Sequence, residues 1–323
     1  MPDSIASRGS IVTRAPTRID FGGGWTDVPP YSDEMGGYVC NIAIARYATV
    51  TVTRRSSPET QQATHSSDLS IATAASRRFG VVDARIDILS DFPIGAGLGG
   101  SSAVGVATVS ALAAAREETM SPTAIAELSR EIEIADLGIA GGRQDHYAAA
   151  YGGALGLRFS RDRVDVHSIR LSARAKQEIE RRCIVVYTGQ SRISGDTINA
   201  VLGAYRRREK SVLTALQRMK DTAESMTDAL SAGDIDALAS LVAEQWTDQR
   251  SLHPAIPTDT IDRIVARAEQ AGSAGAKALG ASGGGCVLVI AKADRVEEVR
   301  DAIAPLGEIL PFTIDEAGVA QCQ

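Results

Sequence analysis

A run of glycines followed by two serines is the part of the sequence with the clearest potential for chemistry. Residues 93–103 read PIGAGLGGSSA, with a strand pattern before them and an Ala-rich helix pattern after them. Glycines let the backbone bend and bring its N–H groups close to an anion. The helix that follows adds free N–H donors and the positive end of its dipole. The sequence therefore predicts a phosphate-binding loop. Its contacting residues are predicted to be Pro93, Gly95, Ala96, Gly97, Leu98, Gly99, Gly100, Ser101 and Ser102.

Three other interpretations of this loop are weaker. Gly95-x-Gly97-x-x-Gly100 matches the dinucleotide pattern GxGxxG, but that pattern alone is weak. The acidic residue that a dinucleotide site needs should follow a second strand, whereas Glu117 and Glu118 fall at the end of a predicted helix. A Walker-type loop is excluded because no Gly-Lys-Ser/Thr follows the glycines. A turn without a ligand would give no reason for so many glycines and two serines at the start of a helix.

Asp145 is the candidate for proton transfer. It ends the glycine-rich link GIAGGRQD and precedes an Ala-rich helix pattern. A carboxylate in this position can accept the proton of a hydroxyl that attacks a phosphate group. The same residue could instead cap the helix, and its local sequence alone leaves both interpretations open.

The pattern of elements predicts a two-domain α+β protein. Strands are predicted at 11–18, 38–53, 85–90, 156–159, 183–187 and 286–291, and helices at 101–116, 121–138, 195–232, 234–250 and 259–271. Ser121 and Pro122 give one helix a strong start signal. The first half is richer in strands and the second in helices, which places the domains at residues 1–185 and 186–323.

Composition narrows the function classes. The 323 residues are 44% hydrophobic and 23% charged, as in a globular protein. The net charge is -6, and the sequence shows no basic surface of the kind that binds nucleic acid. No apolar run has the length of a membrane span, and the four cysteines form no CxxC pair. We expect a cytoplasmic protein with reduced thiols, no membrane or nucleic-acid partner, a small-molecule substrate and a possible homodimer.

Three separated motifs resemble those of the GHMP kinases, named for galactokinase, homoserine kinase, mevalonate kinase and phosphomevalonate kinase. The motifs are APTRIDFGGGWTD at 15–27, the loop at 93–103 and LGASGGGC at 279–286, in the family's order. The resemblance implies a ribosomal S5 domain 2-like N-terminal domain and a ferredoxin-like C-terminal domain, with the active site between them.

The resemblance also implies roles for individual residues. ATP would be the phosphate donor, Asp145 the base and Arg18 the cation beside it. Mg²⁺ would bind Ser101 and Glu133, and Glu131 is a neighbour that could be mistaken for Glu133. The loop has Gly100 where the family usually has a serine, and an ungapped alignment favours Ser101 as the metal ligand. The implied substrate contacts are Asp27, Gly23, Gly24, Trp25, Thr26 and Gly284.

Two further stretches are similar to the heptose 7-phosphate 1-kinases, QDHYAAAYGG at 144–153 and YTGQSR at 187–192. Residues 23–30 are similar to the kinase part of fucokinases. We therefore expect phosphorylation of the anomeric hydroxyl of a sugar phosphate such as a heptose or octose 7-phosphate, with Arg192 or Arg143 as the clamp for the substrate phosphate. The alternatives are a fucose- or galactose-type kinase and a sugar sensor without catalysis. The presence of the base, the cation and the metal ligands argues against the sensor.

Overall fold

The computed structural model describes residues 9–54, 62–63, 66–81, 83–138, 141–190 and 195–322. Over these residues one sheet has seven strands, in the order β11-β1-β2-β4-β3, with β5 beside β2 and β6 beside β5. Its strands are β1 (Ser10–Gly22), β2 (Gly37–Arg54), β3 (Gln62–Ala63), β4 (Ala84–Ser90), β5 (Ala154–Phe159), β6 (Val164–Ile169) and β11 (Ala320–Cys322). All pairs are antiparallel except β3 with β4.

Strand β2 is the centre of this sheet. Its length lets it pair with β4 through residues 48–54 and with β5 through residues 37–42, while β1 runs along its other side. The pairing of β1 with β2 shifts register between Pro16 and Thr17 and again between Asp20 and Gly22. Such irregularities bend a strand and turn its side chains, and here they flank Arg18.

The helices of the first half are α1 (Tyr31–Met35), α2 (Ser66–Phe79), α3 (Gly100–Ala115), α4 (Pro122–Glu131) and α5 (Gln144–Tyr151). A π-helical turn, Ile132–Asp136, continues α4. Helix α3 packs on β1 and β2 and also contacts α2, α4 and α5. This central position explains why α3 is apolar on nearly all sides instead of amphipathic.

A second sheet, in the order β10-β7-β9-β8, is antiparallel. Its strands are β7 (Cys183–Tyr187), β8 (Ser273–Ala278), β9 (Cys286–Ala291) and β10 (Glu308–Leu310). The accompanying helices are α6 (Ala173–Arg182), α7 (Gly195–Arg206), α8 (Lys210–Ala232), α9 (Ile235–Ser251), α10 (Asp259–Ala271) and α11 (Val296–Ile303). Every residue of β9 is buried, and its successive side chains alternate between the two hydrophobic cores.

Each half of the chain contributes residues to the hydrophobic core of the other half. Helix α8 packs on β1, β2 and β5, so Ala223 and Met226 belong to the core of the first sheet. Trp25 and Tyr31, in contrast, pack into the core of the second sheet. The predicted boundary between residues 185 and 186 falls inside β7, and it stays a prediction.

The elements agree with the predicted α+β class and with most of the predicted spans. Ser121 accepts a hydrogen bond from the backbone N–H of Ala124, as a helix cap should. The predicted helix 195–232 is wrong as one element: it is divided into α7 and α8. Arg208 adopts a positive φ of 58° at the break, which ends α7 without a glycine. No described helix has the length and apolar character needed to cross a membrane.

Candidate active site

The glycine-rich loop lies between the two halves of the molecule and is supported by the third glycine motif. Gly97 has a φ of 71°, and a side chain there would come within 2.6 Å of the carbonyl oxygen of Leu279. The backbone N–H of Cys286 donates to Ala96 O at 2.7 Å. The turn between β8 and β9 therefore fixes the shape of the loop from the opposite side, and α3 begins directly after it.

Arg18 joins β1, the loop and Asp145. Its Nε donates to Asp145 Oδ1 at 2.8 Å, and Nη2 lies 2.7 Å from the same oxygen. Its Nη1 donates to the carbonyl of Gly97 at 2.5 Å. The guanidinium is 3% exposed and the Asp145 side chain 27%, so the carboxylate is reachable from solvent while its partner is not. A side chain at Gly99 would come 3.1 Å from Asp145 Cγ, which places the carboxylate against the loop.

Glu133 lies in the π-helical turn and reaches the first turn of α3. Ser101 Oγ donates to Glu133 Oε1 at 2.5 Å, whereas Glu131 pairs with Arg78 at the surface. Burial alone would raise the pKa of Glu133, but His146 and Ser101 outweigh it and hold that pKa below its usual value. The structure thus places an ionised carboxylate and a hydroxyl side by side at the loop, and these are oxygen ligands that suit Mg²⁺.

Asp27 is the second carboxylate near Asp145. It is 2% exposed and its Oδ2 accepts from the backbone N–H of Gln144 at 3.0 Å. Burial raises the pKa of Asp27 to about 6; the Gln144 hydrogen bond opposes this shift, and the charges of Asp145 and Asp20 add to it. Asp27 can therefore change its charge near neutral pH.

Thr26 and Trp25, which were also predicted to contact the substrate, are both buried in the protein. The Thr26 hydroxyl lies 2.7 Å from Gly23 O and 3.0 Å from Tyr38 O, and it accepts from Tyr38 N. These contacts shape the turn after β1 and leave Thr26 fully buried. Trp25 is 7% exposed and packs into the second core.

The other predicted contacts with the substrate are glycine or arginine positions. A side chain at Gly24 would meet the carboxylate of Asp20, and Gly284 is buried in the turn between β8 and β9. The guanidinium of Arg143 donates to the carbonyls of Ser160 and Arg161. Arg192 lies outside the described residues.

Two groups near the site were missed from the sequence. His146 follows Asp145 directly and contacts Glu133. Nothing in the sequence indicated that it should be selected, because none of the histidines has the spacing of metal ligands. Lys277 is fully buried and donates to Asp20 O at 2.8 Å and to Asp20 Oδ2 at 3.1 Å. Burial lowers the pKa of Lys277 and the charge of Asp20 opposes this shift. A single lysine among small and apolar residues of β8 was the signal for a buried ion pair.

Comparisons with known proteins agree with this geometry. The family models "GHMP kinases N terminal domain" and "GHMP kinases C terminal" match residues 68–153 and 226–307. A D-glycero-alpha-D-manno-heptose 7-phosphate kinase of Campylobacter jejuni is 30% identical, over 96% of this chain and 98% of the relative. A bifunctional fucokinase/GDP-fucose pyrophosphorylase of Arabidopsis thaliana is 27% identical, over 94% of this chain and 32% of the relative.

The fold is also that of a solved structure. The crystal structure of a D-glycero-D-manno-heptose 1-phosphate kinase from Bacteroides thetaiotaomicron aligns with a TM-score of 0.78 at 24% identity, over 97% of this chain and 99% of that one. The predicted two-domain architecture is confirmed. With both family models matched in order and a relative aligned over nearly its whole length, the chain belongs to the GHMP kinases and is a phosphotransferase.

Proposed function

We propose that this protein transfers the terminal phosphoryl group of ATP to the anomeric hydroxyl of a higher-carbon sugar 7-phosphate, such as a heptose or octose 7-phosphate. The observation that carries the proposal is the contact of Arg18 with both Asp145 and the carbonyl of Gly97. It holds a solvent-accessible carboxylate against the loop that would bind the nucleotide phosphates. The class of sugar rests on the similarity to the Campylobacter jejuni kinase.

The reaction requires alignment more than covalent help from the protein. GHMP kinases use ATP as the phosphate donor. The anomeric oxygen attacks the terminal phosphorus, the bond to the oxygen of the β-phosphate breaks, and ADP leaves. Asp145 accepts the proton of the attacking hydroxyl, while Arg18 holds the Asp145 carboxylate in place and faces the charge that develops on the phosphoryl group. ATP and sugar phosphates are metabolites of the cell interior, so we place the reaction in the cytoplasm.

Mg²⁺ is part of the proposal because the oxygens present fit it. Ser101 Oγ and Glu133 Oε1 are adjacent, and Glu133 is ionised at neutral pH. The described residues contain no group of three or more His, Cys, Asp or Glu able to hold a metal, so phosphate oxygens would complete the coordination. When bound, the ion would neutralise charge on the phosphates.

Ser101→Ala should raise the Mg²⁺ concentration needed for half-maximal activity by about 10-fold or more, as expected for losing one contact to a charged group. Ser168→Ala is the matched control, since Ser168 is an exposed serine on β6, outside the glycine-rich loop. Steady-state titrations of Mg²⁺ at saturating ATP measure the effect. Equal Mg²⁺ curves for wild type and Ser101→Ala would contradict the assignment of Ser101.

Asp27 should give the enzyme a pH dependence in sugar use. Its ionised carboxylate would accept sugar hydroxyls, so kcat/KM for the sugar should rise with pH and level off above about 6, the pKa of Asp27. Asp27→Asn should remove this inflection and lower kcat/KM by about 10- to 150-fold, the value of a hydrogen bond to a charged group. The KM for ATP should not follow the same curve. An unchanged inflection in Asp27→Asn would assign it to another group.

The raised pKa of Asp27 also affects the stability of the folded protein. The pKa of Asp27 is higher in the folded protein than its usual value of 3.8, so the unfolded chain loses this proton first as the pH rises. The contribution of Asp27 to the free energy of unfolding therefore falls between about pH 4 and pH 6. Asp27→Asn should abolish that part of the fall, measurable by denaturant unfolding at each pH.

A coupled assay of ADP release tests the function as a whole. We expect turnover with heptose 7-phosphate or octose 7-phosphate and little with fucose or galactose. The phosphorus NMR spectrum of the product should show an anomeric phosphate. Turnover with fucose or galactose alone would favour the alternative sugar kinases, and sugar binding without ADP release from any of them would favour a sensor.

A further inference from the structure

His146 is buried where three helical segments meet the proposed metal site. It is 1% exposed and lies in α5, directly after Asp145. Its Nε2 lies 3.0 Å from Glu133 Oε2 and 3.3 Å from Ser102 Oγ, and its Nδ1 lies 3.0 Å from Ser129 Oγ. One ring therefore connects α3, α4 with its π-helical turn, and α5.

The partners determine how the ring is oriented. Nε2 lies 3.0 Å from Glu133 Oε2, and a carboxylate oxygen accepts hydrogen bonds, so the ring is oriented with Nε2 as the donor to Glu133. The Ser129 hydroxyl holds Nδ1 on the other side of the ring. Ser129 is itself packed against α3, because a side chain at Gly105 would meet its Oγ. The imidazole is thus fixed from both sides and cannot rotate away from Glu133.

The contact with His146 also determines which oxygen of Glu133 faces the loop. Oε2 is occupied by His146, and Oε1 is the atom that accepts from Ser101. Glu133 lies in the π-helical turn Ile132–Asp136, a local irregularity that often redirects a side chain at a functional position. Without a donor at Oε2 the carboxylate could turn, and Oε1 would no longer be held beside Ser101.

We propose that His146 is a positioning residue that fixes the Glu133 carboxylate for the metal and ties it to the helix that carries Asp145. The inference rests on the proposed function, because it takes Glu133 and Ser101 as the metal ligands. Partners of this kind behind a metal ligand contribute about 10- to 100-fold in metal affinity or activity.

The test compares two substitutions of His146. His146→Leu removes both nitrogens, and His146→Gln offers an amide N–H in place of Nε2–H. The measurement is the dissociation constant of Mn²⁺ in the presence of a non-hydrolysable ATP analogue, followed by electron paramagnetic resonance. His146→Leu should raise this constant by about 10- to 100-fold, and His146→Gln should recover most of the loss. His167→Leu, on the exposed side of β6, is the control and should match wild type.

Specific outcomes overturn the inference. Wild-type Mn²⁺ affinity in His146→Leu would do so, as would an equal loss of sugar affinity, measured by calorimetry, since that indicates a purely structural role. If His146→Leu does not fold, Ser129→Ala replaces it: that variant keeps the imidazole but frees the ring, and it should weaken Mn²⁺ more than sugar. Wild-type protein that binds no Mn²⁺ with the analogue would overturn the proposed metal site, and this inference with it.

Discussion

Asp145→Asn should lower kcat by about 100- to 10,000-fold, the contribution of a positioned general base, while the affinity for the nucleotide stays nearly intact. An asparagine keeps an oxygen that can accept from Arg18, so the contact between β1 and α5 survives. What is lost is the ability to take the proton of the attacking hydroxyl. Single-turnover rates and nucleotide dissociation constants of wild type and variant, measured side by side, separate these effects.

Asp165→Asn is the matched control for this prediction. Asp165 is an exposed carboxylate on β6 that pairs with Arg163, so the same chemical change is made away from the loop. Its kcat should equal that of wild type. A loss of nucleotide affinity in Asp145→Asn as large as the loss of kcat would mean that Asp145 supports the nucleotide site and is not the base.

Lys277→Met should lower the free energy of unfolding by about 3–5 kcal/mol, the usual cost of removing one partner from a buried ion pair. Lys277 is 0% and Asp20 2% exposed, so the substitution leaves the Asp20 carboxylate without its counterion and out of reach of water. Lys277 is on β8 and Asp20 on β1, so the lost contact joins the two sheets. Guanidinium unfolding curves measure the change.

Two further variants test the origin of this loss. Adding Asp20→Asn to Lys277→Met should recover part of the stability, because a neutral amide costs less to bury than a charge. Lys176→Met removes an exposed ion pair with Glu316 and should cost less than about 1 kcal/mol. A similar loss in Lys176→Met and Lys277→Met would show that burial of the pair is not what matters.

Local sequence was sufficient to predict the elements that carry their own signals. The glycine-rich loop and α3 follow from residues that are adjacent in the chain, and Ser121 with Pro122 correctly marked the start of α4. The division between α7 and α8 could not be predicted, because the break at Arg208 has no glycine or proline. The backbone accepts a positive φ there without any change in composition to indicate it.

The residues of the candidate site that lie in sequence motifs were predicted. Those that only the packing of the fold brings to the site were missed. The structure pairs Arg18 with Asp145 and Ser101 with Glu133, and the catalytic roles of these four residues stay predictions. His146 was overlooked because its partners lie on three segments that only the fold brings together. Lys277 stands out among the small and apolar residues of β8, but its pairing with Asp20 depends on the contact between the two sheets and cannot be inferred from the local sequence.

The support of the nucleotide loop by the turn between β8 and β9 has a consequence for synthesis on the ribosome. The ribosome adds Gly97 to the chain long before it adds Leu279 and Cys286, which hold the loop in shape. Pairing of β1 with β11 comes later still, since Val12 lies opposite Cys322. Contacts so distant in sequence form slowly. A nascent chain that already contains the first motif and the loop therefore still lacks the residues that hold the loop in its folded shape.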